Sequence, residues 1–153
     1  MSVPMLTASA GFLLAVLWMD LIFDTQILRP DPARHRETED AALASIAAYY
    51  RRATTTSRPM SVVIVLAMAT LVACVAVEAV LGERPAWLIA VSAVLAGGPI
   101  LLALARTVPA AVRLGGRTDP PAVQVRLARR ILRDHLACLA AMSAFLVLWV
   151  VAG

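Results

Sequence analysis

GFLLAVLWMDLIFDTQIL, residues 11–28, is the stretch on which the fold turns. With the apolar residues before it, the run covers about 5–28, and roughly 20 residues of helix suffice to cross about 30 Å of hydrocarbon. Two carboxylates, Asp20 and Asp24, are set into its second half, one helical turn apart and so on one face. A carboxylate inside a bilayer costs about 2.5–3.5 kcal/mol on insertion scales, so such acids face a bundle interior and take partners there. The rest of the chain is then read for what surrounds this helix and what faces the two acids.

Three further runs match the first in length. They cover about residues 60–81, entered through Arg58-Pro59 and ended by Gly82; 86–105, with Pro85 at the start; and 131–151, continuing a more polar helix from Pro121. No run alternates with the period of a strand, and an open sheet cannot satisfy its edges in lipid. The expected fold is all-α: a polytopic membrane protein, a single domain over residues 1–153, built as a four-transmembrane-helix bundle. Hydrophobic residues make up 61% of the 153, and the mean hydropathy is +0.81, well above ordinary globular composition. Residues 1–10 lack a basic stretch and the first apolar run is long for a signal sequence, so no cleaved signal peptide is expected.

The basic residues are all arginine, fourteen of them, which with the many alanines points to a GC-rich bacterial genome. Arg29, Arg34, Arg36, Arg51, Arg52 and Arg58 lie between runs one and two. Arg106, Arg113, Arg117, Arg126, Arg129 and Arg130 lie between runs three and four, while the connection between runs two and three holds only Arg84. By the positive-inside rule, the arginine-rich loops are cytoplasmic and both termini lie outside the inner (plasma) membrane. The net charge of +4 is thereby assigned to membrane topology, and nucleic acid is not an expected partner. Trp87 and Trp149 fall at the outer interface and Tyr49 and Tyr50 at the inner one, as aromatic belts.

The first loop contains ETEDAALASIAAYYRR, residues 37–52, with acids in its first turn and arginines in its last. It reads as an amphipathic cytoplasmic helix that lies on the membrane surface or extends run two inward. In the second loop, Gly115-Gly116 marks a turn and Asp119-Pro120-Pro121 a helix start. Arg126 and Arg130 stand before Asp134 at spacings that offer ion pairs on one face. Arg29-Pro30-Asp31-Pro32 and Arg117-Thr118-Asp119-Pro120 occupy matching places after runs one and three; ordinary helix stops explain this echo better than a duplicated hairpin. Gly97-Gly98-Pro99 predicts a kink and close helix approach in run three, as do Ala69 with Ala73 and Ala137 with Ala141 for packing. Cys74 and Cys138 lie inside apolar runs and read as packed thiols.

Depth in the membrane brings Asp20, Asp24, Asp134, His135, Arg106 and Arg133 to one level on the cytoplasmic side. Two arrangements fit. In one, the arginines neutralise the acids and the cluster fixes packing. In the other, the cluster is a ligand or proton site, or Asp20, Asp24 and His135 hold a divalent metal, since carboxylate and imidazole suit iron, manganese or zinc. No second histidine stands in the runs, so haem is not expected. Glu78 is placed near Arg84 at the outer end, and His35 on the solvated loop.

The segment TVPAAVRL at residues 107–114, followed by an arginine-rich entry with Arg133 and His135 into run four, resembles the small four-helix membrane proteins of the anthrone-oxygenase-like group. The likeness covers the last third of the chain. It implies cofactor-poor oxidation of a lipophilic substrate entering from the bilayer, and it identifies no catalytic residue. The residues thus frame three functions. One is a membrane protein that binds a lipophilic molecule or relays protons at the acid cluster, with an oxidoreductase among its forms. A second is an accessory or assembly subunit of a larger respiratory or photosynthetic complex. The third is a small homo-oligomeric transporter. Membrane lipid is a partner in each.

Overall fold

The computed structural model describes residues 2–28 and 35–152. The 29–32 half of the proline echo and the side chain of His35 lie outside the described residues. Helix α1 spans Ser2–Asp24 and tightens into a 3-10 turn, Thr25–Leu28. Then come α2, His35–Thr55, and α3, Arg58–Leu81. Helix α4, Ala86–Leu102, passes through a π turn at Ala103–Thr107 into α5, Val108–Gly116. Helix α6, Pro121–Ala152, closes the chain. No strand occurs among the described residues, and four helices are long and apolar enough to cross a membrane: Val3–Leu28, Arg58–Leu81, Ala86–Gly116 and Pro121–Ala152. The all-α expectation holds.

The four spans form a ring in which α1 packs on α3 and α6, and α4 packs on the same two. Two apolar cores fill it. One gathers Leu6, Leu13, Leu71, Val75, Met142, Phe145 and Trp149. The other, at the arginine-rich end, gathers Leu21, Ile27, Leu43, Ile46, Tyr50, Leu114, Leu127 and Ile131. The sites of helix termination match the punctuation in the sequence. Gly82 takes a left-handed conformation (φ 68°) after α3, and Pro59 sits in the first turn of that helix.

Several expectations are corrected. Run three does not end near residue 105: the amide of Val108 reaches the carbonyl of Ala103, the i→i+5 bond of a π turn, and the helix continues to Gly116. At 31 and 32 residues, the third and fourth spans are about 46–48 Å long, so both overrun the hydrocarbon at the same end. Helix α2 neither lies alone on the membrane surface nor continues α3. It breaks from α3 at Ser57 and packs on α5, touching α1, α3 and α6 as well.

Gly115-Gly116 is not the turn; the left-handed residue is Arg117 (φ 51°). Gly115 instead lets the two backbones meet. A Cβ there would lie 2.9 Å from the Arg51 amide nitrogen and 3.1 Å from its Cα. Gly97 and Gly98 seat no neighbour, since a Cβ at either meets nothing within 4 Å. Ala69, Ala73 and Ala137 are exposed rather than packed. Trp149 is buried and donates to Ser92 Oγ at 2.9 Å, so of the two tryptophans expected at the outer interface, Trp87 and Trp149, only Trp87 is exposed. Both cysteines are buried and free, as expected.

Gly115→Val should push α2 off α5, because the atoms it meets are backbone. The expected cost is about 1–3 kcal/mol, the range of overpacked sites. Thermal unfolding in detergent would show it, together with faster tryptic cleavage after Arg51 and Arg52. Unchanged stability and cleavage would contradict the close approach.

Candidate functional site

Asp20 and Asp24 face the bundle interior from the last turns of α1, and α6 presents His135 to both. His135 Nδ1 lies 2.7 Å from Asp24 Oδ2, and its Nε2 lies 3.9 Å from Asp20 Oδ2. The first is a hydrogen bond in which Nδ1–H donates to the carboxylate; the second is an electrostatic contact. Each acid also accepts a phenol from α2. Tyr50 donates to Asp24 Oδ1 at 2.6 Å, and Tyr49 donates to Asp20 Oδ1 at 2.5 Å. The order across the site is Tyr49, Asp20, His135, Asp24, Tyr50.

The two acids are not equivalent. Asp24 is 1% exposed and has a partner on each oxygen. Asp20 keeps 17% of its side chain accessible, and His135 keeps 11%. The row of side chains therefore has a sealed end and an open end. Phe23 stacks on Tyr49 with ring centroids 4.1 Å apart, and Tyr49 meets Tyr50 edge to face at 5.2 Å, which fixes both phenols over the acids. Burial pushes both tyrosines well above the usual phenol range, and the neighbouring carboxylates push the same way. They stay hydrogen-bond donors at any physiological pH.

The six residues brought to one level by depth separate into groups. Asp20, Asp24 and His135 converge. Asp134 turns to another partner set: Arg106 Nη2 at 3.4 Å and Thr107 Oγ1 at 3.5 Å. It does not pair with Arg126 or Arg130. The Arg106 side chain is 47% exposed, so this pair sits at the edge of the bundle. Arg133 joins neither group and is exposed on the opposite side of α6 from His135, since two residues apart on a helix means about 200° around it. At the far end, Glu78 meets Arg84 Nε at 3.5 Å, as expected, and Arg84 lies over the Trp149 ring at 5.9 Å.

The divalent-metal alternative fits this geometry poorly. Asp24 spends both oxygens on Tyr50 and His135, and Nδ1 of His135 is directed at Asp24 rather than at a shared centre. Among the described residues no three His, Cys, Asp or Glu side chains are grouped as ligands. Sequence reasoning missed Tyr49, Tyr50 and Thr107. The tyrosines carried a signal: a buried phenol needs an acceptor, and the amphipathic stripe of α2 includes them. No family model, curated protein or solved structure matches the chain.

Two expectations follow. Asp24→Ala strands the imidazole and the Tyr50 hydroxyl and should cost about 3–5 kcal/mol, as for a broken buried pair. Tyr50→Phe leaves one oxygen unmet and should cost about 1–3 kcal/mol. Because the two groups share one bond, the double variant in detergent unfolding should lose less than the sum of the two, and strict additivity would contradict the bond. The second concerns alkali. These are the chain's two tyrosines, and each is raised in the folded protein. Their contribution to stability is complete below the unfolded phenol value of about 10 and is lost as pH rises above it. Tyrosinate absorbance should therefore appear only as the protein unfolds; ionisation of either phenol in the folded protein near pH 10 would contradict the seating of both hydroxyls on carboxylates.

Proposed function

We propose that this is a bacterial inner-membrane protein that takes up and releases protons at the Asp20–His135–Asp24 relay, in exchange with a lipophilic molecule in the bilayer. The observation that supports this most is the imidazole placed between two carboxylates of unequal access. Imidazole is the side chain whose charge ordinarily changes between pH 5 and 8. Asp24, closed from solvent and bonded on both oxygens, orients His135. Asp20 is the port. A proton arriving at Asp20 Oδ2 passes to Nε2, and the 3.9 Å gap is bridged by a water or a small rotation of the carboxylate. The imidazolium then donates from both nitrogens, and the proton leaves by the same port.

The site works from one side. Leu13, Leu71, Ala96 and Met142 lie between it and the Glu78–Arg84 end, and they offer no group that carries a proton. That apolar layer favours exchange at one face over transport across the membrane. The positive-inside rule places that face in the cytoplasm. Helix α1, which carries Asp20, exposes Trp18, Met19 and Ile22 on its other sides, so the span that holds the port borders lipid, where a lipophilic partner would be met.

Infrared difference spectra of the reconstituted protein between pH 5 and 8 provide the test. A carboxyl band and imidazole bands are expected. Asp20→Asn should remove the carboxyl band, His135→Gln should remove the imidazole bands, and Asp134→Asn should leave both. Spectra without any pH-dependent band from Asp20 or His135, in a protein whose helicity is intact, would refute the reading.

A further inference from the structure

Arg126, Arg129, Arg130 and Arg133 follow one another at helical spacing near the start of α6, covering about 10 Å of its length within about 100° of its circumference. Together with Arg113, Asp119, Leu28, Val123, Leu127 and Leu132 they line an open groove of about 870 Å³. Arg113 is engaged by Asp119 at 2.8 Å. The four α6 arginines have no ion-pair partner among the described residues, and the Nε of Arg130 is buried without a hydrogen-bond acceptor. Like charges three and four residues apart on a helix repel. The face therefore carries a cost that a bound anion removes.

The surroundings say what kind of anion. Helix α6 overruns the hydrocarbon by about a dozen residues, which puts Arg126 to Arg133 at the headgroup level of one leaflet. Leu28 is the last residue of the first span and is exposed, so one wall of the groove is continuous with lipid-facing surface. Guanidinium forks match phosphate oxygens in pairs, and basic pockets between spans at this level suit lipid phosphates. We infer that the groove binds an anionic phospholipid, its phosphate among Arg126, Arg129, Arg130 and Arg133 and the upper part of an acyl chain along Leu28. This site is separate from the proton relay and does not depend on that reading.

The test is native mass spectrometry of the full chain, delipidated in mild detergent and titrated with phosphatidylglycerol, cardiolipin or phosphatidylcholine. Preferential retention of the anionic lipids is expected. Arg126→Gln, Arg129→Gln and Arg133→Gln together, all at exposed positions, should weaken that retention by about tenfold or more. Arg51→Gln with Arg52→Gln, exposed arginines elsewhere, should leave it unchanged. The anionic lipid should also raise the melting temperature of the parent chain and not of the triple variant. Equal retention of the neutral lipid would overturn the proposal, as would equal loss in the Arg51 and Arg52 variant. Displacement by inorganic phosphate at concentrations comparable to the lipid would likewise overturn it, by making this a soluble-anion site.

Discussion

Asp24 is a carboxylate with no access to water inside a chain made for lipid, and much of the molecule is arranged around keeping both its oxygens bonded. Taking an ion out of water is recovered only when its hydrogen bonds are remade in good geometry. One bond comes from within the ring of spans, through His135. The other comes from outside it, through Tyr50. That second bond obliges α2 to dock, docking needs α5 as a surface, and α5 exists because the third span continues past the membrane. Gly115 is the point where this succession of requirements reaches the backbone: the Tyr50 hydroxyl reaches Asp24 because nothing at position 115 keeps α2 away.

The two ends of the bundle meet a similar problem in different ways. At the far end, Glu78 is paired by Arg84 from the connecting turn, and Ser92 receives the Trp149 ring N–H. There a full charge meets a full charge at the edge of solvent. At the arginine-rich end, no arginine among the described residues pairs with Asp20 or Asp24, and the partners of these acids are an imidazole and two phenols. Two neutral phenols and an imidazole, the one group of the three whose charge ordinarily changes near neutrality, stand where a guanidinium would have carried a fixed charge.

The spans were legible because run length and punctuation by Pro59, Gly82 and Pro85 act locally. So were Asp20, Asp24 and His135, since depth along each helix follows from counting residues. What depth leaves open is azimuth. Arg133 and His135 are at nearly one level yet face opposite ways, and the face that turns inward depends on packing partners many residues away. The tyrosines were assigned to the interface by a rule about lipid belts, whereas a tertiary contact at Gly115 draws them inward. A glycine pair was read as a turn because local chemistry permits either use, and only the approach of Arg51 distinguishes them.

The π turn at Ala103–Thr107 has a consequence for how the chain can vary. One residue more than an α-helical turn resets the phase of everything after it by about 100°. The half of the helix that packs on α6 and the half that receives α2 are thus indexed separately along one continuous rod. Substitutions that retune the intramembrane half leave the angular setting of the docking half alone. A single-residue deletion in the turn, by contrast, would heal the helix and rotate the docking platform away from its helix, a discrete change in architecture from the smallest possible change in length.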